Sequence, residues 1–385
     1  MIDPRDVILA NNIVSYSLDI QPGEKVMLDF RGCSTLGLLR EMVTAVTRRD
    51  GVPFVLIGDD SIQRRFLRDA EEAQVARWGD IHETLMREMQ CYVRVNGTDN
   101  PFDLADIPEP ARKWEREHYM QRVHLKIRVP NTKWVVLRYP GNAMAQQARM
   151  SQPAFEDLYF RVCNLDYGRL SRAMDPLKAL MEKTDEVRIE GKGTELTLSI
   201  RGINVVKCDG KLNIPDGEIY TAPVRDSVNG VVTYNAGALY QGTSWDWIRL
   251  EFKNGKIADI GASNDVDKLH EIFHSDPGAS YIGEFAFGLN PHLHSSIKDT
   301  LFDEKIYGSF HTALGQCYEE APNGNESAIH WDLVCIQTEE YGGGRVWFDG
   351  ELVRENGHWI HEDLEDVLSI TALTAEDERE AEPVG

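Results

Sequence analysis

A chain of 385 residues is too long for one ordinary hydrophobic core, so two domains are expected. Apolar residues at 42% beside charged residues at 27% exclude a disordered chain, and no apolar run approaches bilayer length, which excludes a membrane span. A formal net charge of -22 with no basic patch excludes nucleic acid as a partner; such acidity is more often simply a solvated surface, and secondarily it suits cationic ligands such as a free peptide N-terminus.

The first residues, MIDPRDVILANN, lack a basic segment leading into an apolar core, so no secretory signal is expected. Six scattered cysteines with no Cys-x-x-Cys pair fit reduced thiols and a cytoplasmic setting. Residues 5–20 carry Val7, Ile8, Ala10, Ile13, Val14 and Leu18 at helical spacing. The run 26–30 (VMLDF) predicts a buried strand, and 38–49 predicts an amphipathic helix ended by Asp50-Gly51. A strand over 53–60 follows, then a long helical stretch through Ile62, Phe66, Leu67, Ala73 and Val75. Residues 91–97 read as a third strand, 110–127 as a helix and 133–140 as a fourth strand. This alternation predicts an α/β domain, a parallel sheet with helices on both faces. No G-x-G-x-x-G follows the first strand, so a dinucleotide site has no support.

Residues 152–185 are helical in character, with a break or kink expected at Pro176. The pattern then changes. Two β-rich runs over 186–202 flank Gly191-Lys192-Gly193, and FKNGKIADI predicts a hairpin with Asn254-Gly255 at its tip. The second half therefore reads as α+β and rich in antiparallel sheet. The expected division is an α/β domain over 1–180, a metal-binding catalytic domain over 181–372, and a loose acidic tail over 373–385.

The chemistry concentrates in 283–332, with Glu218 just upstream in the Pro/Gly-bounded turn of NIPDGEIYTAPV. His330 and Asp332 lie two apart ahead of the apolar run LVCI, which puts both on one face of a strand. Taken singly, an H-x-D pair is more often a solvent-facing His and Asp. His311 sits in GSFHTALG between packing residues; alone it is more often a hydrogen-bonded core histidine. Glu284 in GEFAFG is a carboxylate in an apolar frame, and glutamate is rarely buried without a partner. Tyr318 reads equally as a site residue or an ordinary amphipathic tyrosine. His292 and His294 form an H-x-H pair without an apolar frame and rank lower. Two histidines and three carboxylates at non-helical spacing, gathered by separate strands or loops, suit two divalent ions and hydrolysis. There is no G-x-S-x-G elbow, no Walker-type loop and no H-E-x-x-H helix, and Cys317 has no neighbouring base.

Five segments, NIPDGEIYTAPV, DSVNG, GEFAFGLNP, KDTLFDEKIYGSFHTALG and SAIHWDLV, closely resemble the aminopeptidase T family, the thermophilic-type leucyl metallo-aminopeptidases. The first half resembles it mainly around YSLDIQPGEKVML. The resemblance implies an α/β N-terminal domain and a C-terminal domain with two divalent ions (zinc, cobalt or manganese). It also implies a homodimer that removes N-terminal amino acids from peptides. Carried over by motif, Glu218, Glu284, His311, His330 and Asp332 are the expected metal ligands. Glu284 is also the expected proton acceptor, and Tyr318 the donor to the oxyanion. This chain departs from the family at Tyr307 and Thr312, and at the second DG of its C-terminal repeat, which here is Asn356-Gly357. Some similar proteins are mononuclear iron(II) dioxygenases that cleave dihydroxypyridine rings, for which His311, His330 and Asp332 would supply the facial triad. The extra carboxylates Glu218 and Glu284 favour the peptidase.

Overall fold

Alternating apolar runs and amphipathic helices build a five-stranded parallel sheet in the first part of the chain. Its order is Val52–Gly58, Lys25–Arg31, Cys91–Asn96, Lys133–Arg138 and Asn213–Ile214. The computed structural model describes residues 3–100 and 102–375, so the expected acidic tail lies outside the described residues beyond position 375. Leu373 and Thr374 belong to a short helix, Ile370–Thr374, whose N-cap is Ser369. Two compact units divide the chain: Met1–Asn164 with Gly210–Ile214, and Leu165–Asp209 with Pro215–Gly385.

In the first unit the inner strands are buried because both faces are covered; Cys91, Tyr92, Val93 and Val95 are fully inaccessible. The expected first helix is α-helical over Pro4–Asn12 and continues in π-helical turns over Ile13–Ser17. The long helical stretch is two helices, Asp60–Asp69 and Glu72–Arg87, each started by its own acidic cap, Asp59 and Glu71. The strand Val52–Gly58 forms an open edge, so its apolar residues stay accessible, with Ile57 at 59%.

A polar knot sits inside this sheet. Asp29 is 1% exposed and accepts from the Arg31 guanidinium (3.1 Å), the Tyr92 hydroxyl (2.9 Å) and Arg94 (3.2 Å). Burial raises its pKa, but the two arginines outweigh burial and hold the carboxyl below the usual range. Asp29→Ala leaves Arg31 and Arg94 without their buried counter-charge and is expected to destabilise this unit by about 3–5 kcal/mol. The shift of the urea midpoint measures this. Because the folded pKa is depressed, the wild-type contribution is full above the ordinary aspartate range. It is lost as pH falls through the folded pKa, and the variant should lack that acid dependence.

The helices over 152–185 part at residues 164–166, not at Pro176. Asp166 caps the second helix, Tyr167–Met181, by accepting from the Arg169 amide (2.9 Å). Pro176 sits inside that helix, which continues through the one hydrogen bond it cannot donate. In the second unit an eight-stranded antiparallel sheet has the order Lys256–Ala262, Ile248–Lys253, Asn229–Tyr234, Thr194–Ser199, Glu186–Gly191, Gly344–Phe348, Glu351–Glu355 and His358–Trp359. The Asn254-Gly255 tip takes left-handed φ at both residues (49° and 82°), the geometry of the expected tight hairpin.

A second antiparallel sheet holds His330–Ile336, Ser309–Gly315, Ile282–Gly288, Glu218–Thr221 and Val206–Cys208, in that order. One face of it packs on the eight-stranded sheet. Phe285 and Phe287 meet edge-to-face there at 5.0 Å, and Phe287 meets Phe348 (6.0 Å) and Trp359 (5.2 Å) across the interface. Thr312 points to this inner face and shares a hydrogen bond with the Tyr234 hydroxyl (2.6 Å), while the Tyr307 hydroxyl donates to the Leu368 carbonyl (2.7 Å). Two of the departures from the family pattern therefore have packing roles. The third keeps its turn, since Asn356-Gly357 adopts the same left-handed pair of φ angles as Asp349-Gly350.

Candidate metal centre

The period-2 alternation that sends phenylalanines into the sandwich sends every second residue to the opposite face. On that face lie Glu218 and Tyr220, then Glu284, Ala286 and Gly288, then His311 and Ala313, then His330 and Asp332. Register puts them side by side: Ala286 pairs with both Tyr220 and His311, and Ala313 pairs with both Glu284 and Asp332. The five residues expected as ligands thus come from four adjacent strands of one sheet. The two alanines leave room above the sheet between them.

The donor atoms converge. His311 Nε2 lies 3.3 Å from Glu218 Oε2, 3.5 Å from Glu284 Oε1 and 3.9 Å from Asp332 Oδ1. His330 Nε2 lies 3.2 Å from Glu284 Oε2 and 3.7 Å from Asp332 Oδ1. His330 Nδ1 sits 2.7 Å from the Gln316 carbonyl, an acceptor, so Nδ1 carries a proton and Nε2 is the ring nitrogen aimed into the cluster. Glu218 Oε2, His311 Nε2, His330 Nε2 and Asp332 Oδ1 are all buried and make no hydrogen bond. Buried polar atoms without partners are costly, and four of them aimed at one place fit a cation.

The electrostatics agree. Burial opposes charge on both histidines, yet the contacts with Glu284, Glu218 and Asp332 win and raise His311 to about 9 and His330 to about 10. Burial likewise raises Glu284, but the two imidazoles outweigh it and hold its carboxyl well below the usual range. Asp332 is pushed up by burial and by the Glu284 charge beside it. The cluster carries an excess of negative charge that a divalent cation would answer.

Tyr318 stands at the rim, 44% exposed, its ring 4.6 Å from that of His330 and 5.4 Å from that of Tyr220. His292 and His294 enter none of the metal-competent donor groups found among the described residues. Sequence reasoning passed over two residues of the centre. Glu304 lies within ligand distance of Glu218 and His311. Lys305, 1% exposed, places Nζ 2.7 Å from Glu218 Oε1 and 2.6 Å from Glu304 Oε1. Burial disfavours the ammonium, but Glu218, Glu304 and Asp216 outweigh it and keep it protonated. The readable signal was an adjacent Glu-Lys pair flanked by Phe302, Ile306 and Tyr307. Glu218 also has Cys208 and Asp216 as near donors on its other side.

The sequence profile of the thermophilic metalloprotease (M29) family matches residues 7–359, nearly the whole chain. The chain belongs to this family. It is therefore a metal-dependent hydrolase of peptides. Among similar proteins, aminopeptidase T of Thermus thermophilus is 29% identical over 405 residues, covering 91% of this chain and 97% of the relative. Aminopeptidase T of Thermus aquaticus is 29% identical over 358 residues, covering 80% and 86%. The match to aminopeptidase AmpS of Bacillus subtilis is 31% identical but spans 44% of this chain and 48% of that protein. The solved structure of wild-type AmpT from Thermus thermophilus superposes with a TM-score of 0.74 at 21% identity, covering 93% of this chain and 99% of the other. A 2,5-dihydroxypyridine dioxygenase from Pseudomonas putida KT2440 shares the fold at a TM-score of 0.60 and 13% identity, covering 93% and 98%. Among the described residues no helix is long and apolar enough to cross a membrane.

Proposed function

We propose that the protein is a metal-dependent aminopeptidase that removes N-terminal amino acids from peptides. The observation that carries this reading is the convergence on one sheet face of donor atoms from Glu218, Glu284, His311, His330 and Asp332, those of all but Glu284 without a hydrogen bond. These five would hold two divalent ions, zinc, cobalt or manganese, with Glu304 as a further donor. Bound there, such ions lower the pKa of a water and polarise a carbonyl. Glu284, held ionised between two imidazoles, would take up a proton from the attacking water. Tyr318, exposed at the rim with its ring beside His330, would donate a hydrogen bond to the oxyanion. The acidic cluster suits the free α-ammonium of a peptide.

The two histidines and Asp332 alone would also serve a mononuclear iron dioxygenase on the same fold. Glu218, Glu284 and Glu304 in the same cluster exceed the needs of a facial triad and support the peptidase. A homodimer in the cytoplasm completes the proposal. The open apolar edge Val52–Gly58 of the first unit supports self-association.

The test is elemental analysis of protein purified without added metal or chelator, with each sample assayed on a leucine-amide substrate. About two zinc, cobalt or manganese ions per chain with release of the N-terminal residue is expected. Removal of the ions by a chelator should abolish turnover, and re-addition should restore it. One iron per chain without peptide cleavage would overturn the reading.

A further inference from the structure

Lys305 is the feature of this centre that ligand chemistry alone does not explain. A lysine that is 1% exposed among metal donors at first sight competes with the metal. Its contacts are with the other side of those donors. Nζ meets Oε1 of Glu218 and Oε1 of Glu304, whereas the Glu218 oxygen that faces His311 Nε2 is Oε2, which has no hydrogen-bond partner. Each carboxylate is thereby tied by one oxygen, and Glu218 keeps the second for a cation.

The backbone is built to bring this lysine in. Gly288 lies on the site face, paired with Glu218. A Cβ on it would meet the Ile306 carbonyl oxygen at 2.2 Å and the Lys305 carbonyl carbon at 2.8 Å. Only a glycine lets the 305–306 segment approach the sheet so closely. Asn290 clasps the same segment, its amide donating to the Lys305 carbonyl (2.9 Å) and its side chain to the Asp216 carbonyl (3.1 Å). Charge balance points the same way. The buried ammonium answers three carboxylates at once, Asp216 at 3.8 Å, Glu218 at 2.7 Å and Glu304 at 2.6 Å, which would otherwise stand together without a counter-charge.

We propose that Lys305 is a positioning residue for the second of the two cation places, fixing Glu218 and Glu304 so that they can share an ion with His311. The proposal rests on the metallopeptidase reading and assigns the lysine no contact with substrate. It divides the centre into a Lys305-independent place, at Glu284, His330 and Asp332, and a Lys305-dependent one. Loss of a group that hydrogen-bonds and orients a metal ligand typically changes metal affinity by roughly 10–100-fold.

The experiment compares wild type with Lys305→Met and Lys305→Gln, the second of which keeps a hydrogen-bond donor without the charge. Stepwise dissociation constants are measured for zinc by competition with a chromophoric chelator, with metal per chain by elemental analysis. Wild type should hold two ions. Both variants should keep the first ion with unchanged affinity and bind the second roughly 10–100-fold more weakly. Retention of the first ion also reports that the sheet is intact. Two ions bound as in wild type, or a tightened second ion, would overturn the proposal. So would loss of both ions, because the role assigned is confined to one place. A wild-type chain with no affinity for any divalent ion would instead overturn the metallopeptidase reading itself.

Discussion

Glu284→Gln should leave the fold intact and remove peptidase activity, with kcat/KM falling by about a thousandfold or more. The replacement keeps the shape of the side chain and deletes only its charge. That charge faces both imidazoles, 3.5 Å from His311 Nε2 and 3.2 Å from His330 Nε2, and stands beside Asp332. If Glu284 is a shared ligand, ion content per chain falls together with activity. If it acts only as proton acceptor, the ions stay and kcat alone falls. Elemental analysis and steady-state kinetics on the same preparation separate the two roles, and the thermal midpoint checks the fold. Two retained ions with activity within tenfold of wild type would remove Glu284 from both roles.

Tyr318→Phe should behave differently. The hydroxyl is the only group lost, the residue is 44% exposed, and the ring packing on His330 and Tyr220 survives in phenylalanine. Metal content and melting temperature should match wild type. The rate should fall by roughly a hundred- to a thousandfold, the usual effect of deleting one oxyanion donor, with most of it in kcat rather than KM. An unchanged kcat would show that the tyrosine is a wall of the site and not a donor. A rise in KM alone would assign it to substrate binding.

Much of the first unit was legible because strand and helix carry different hydrophobic periods, and each run was long enough to show its own. The edge position of Val52–Gly58 was not legible. An apolar run reads alike at the centre and the rim of a sheet, and only strand order separates them. Pro176 misled for a related reason. Proline weakens a helix locally, but the helix from Tyr167 to Met181 is held by an apolar face that includes Leu170, Met174, Leu177 and Met181, while Asp166 supplies a better starting cap ten residues earlier. Thr312 and Tyr307 looked like changes near the site and turned out to bond Tyr234 and Leu368, away from it.

The sequence by itself determined which donor types the proposed centre can draw on. The types and local spacing of Glu218, Glu284, His311, His330 and Asp332 say that oxygen and nitrogen donors are present, and H-x-D before an apolar run says that two of them share a face. Tertiary structure decided which face, and which other groups join it. Antiparallel register sets Ala286 beside His311 and Ala313 between Glu284 and Asp332, so the space for an ion arises from residues with no chemistry of their own. Lys305 enters from a loop after a short helix, admitted by the missing side chain of Gly288. Such a contact depends on the fit of two backbones distant along the strand order. A linear sequence records side-chain types and periods, but not which surfaces come close enough to touch.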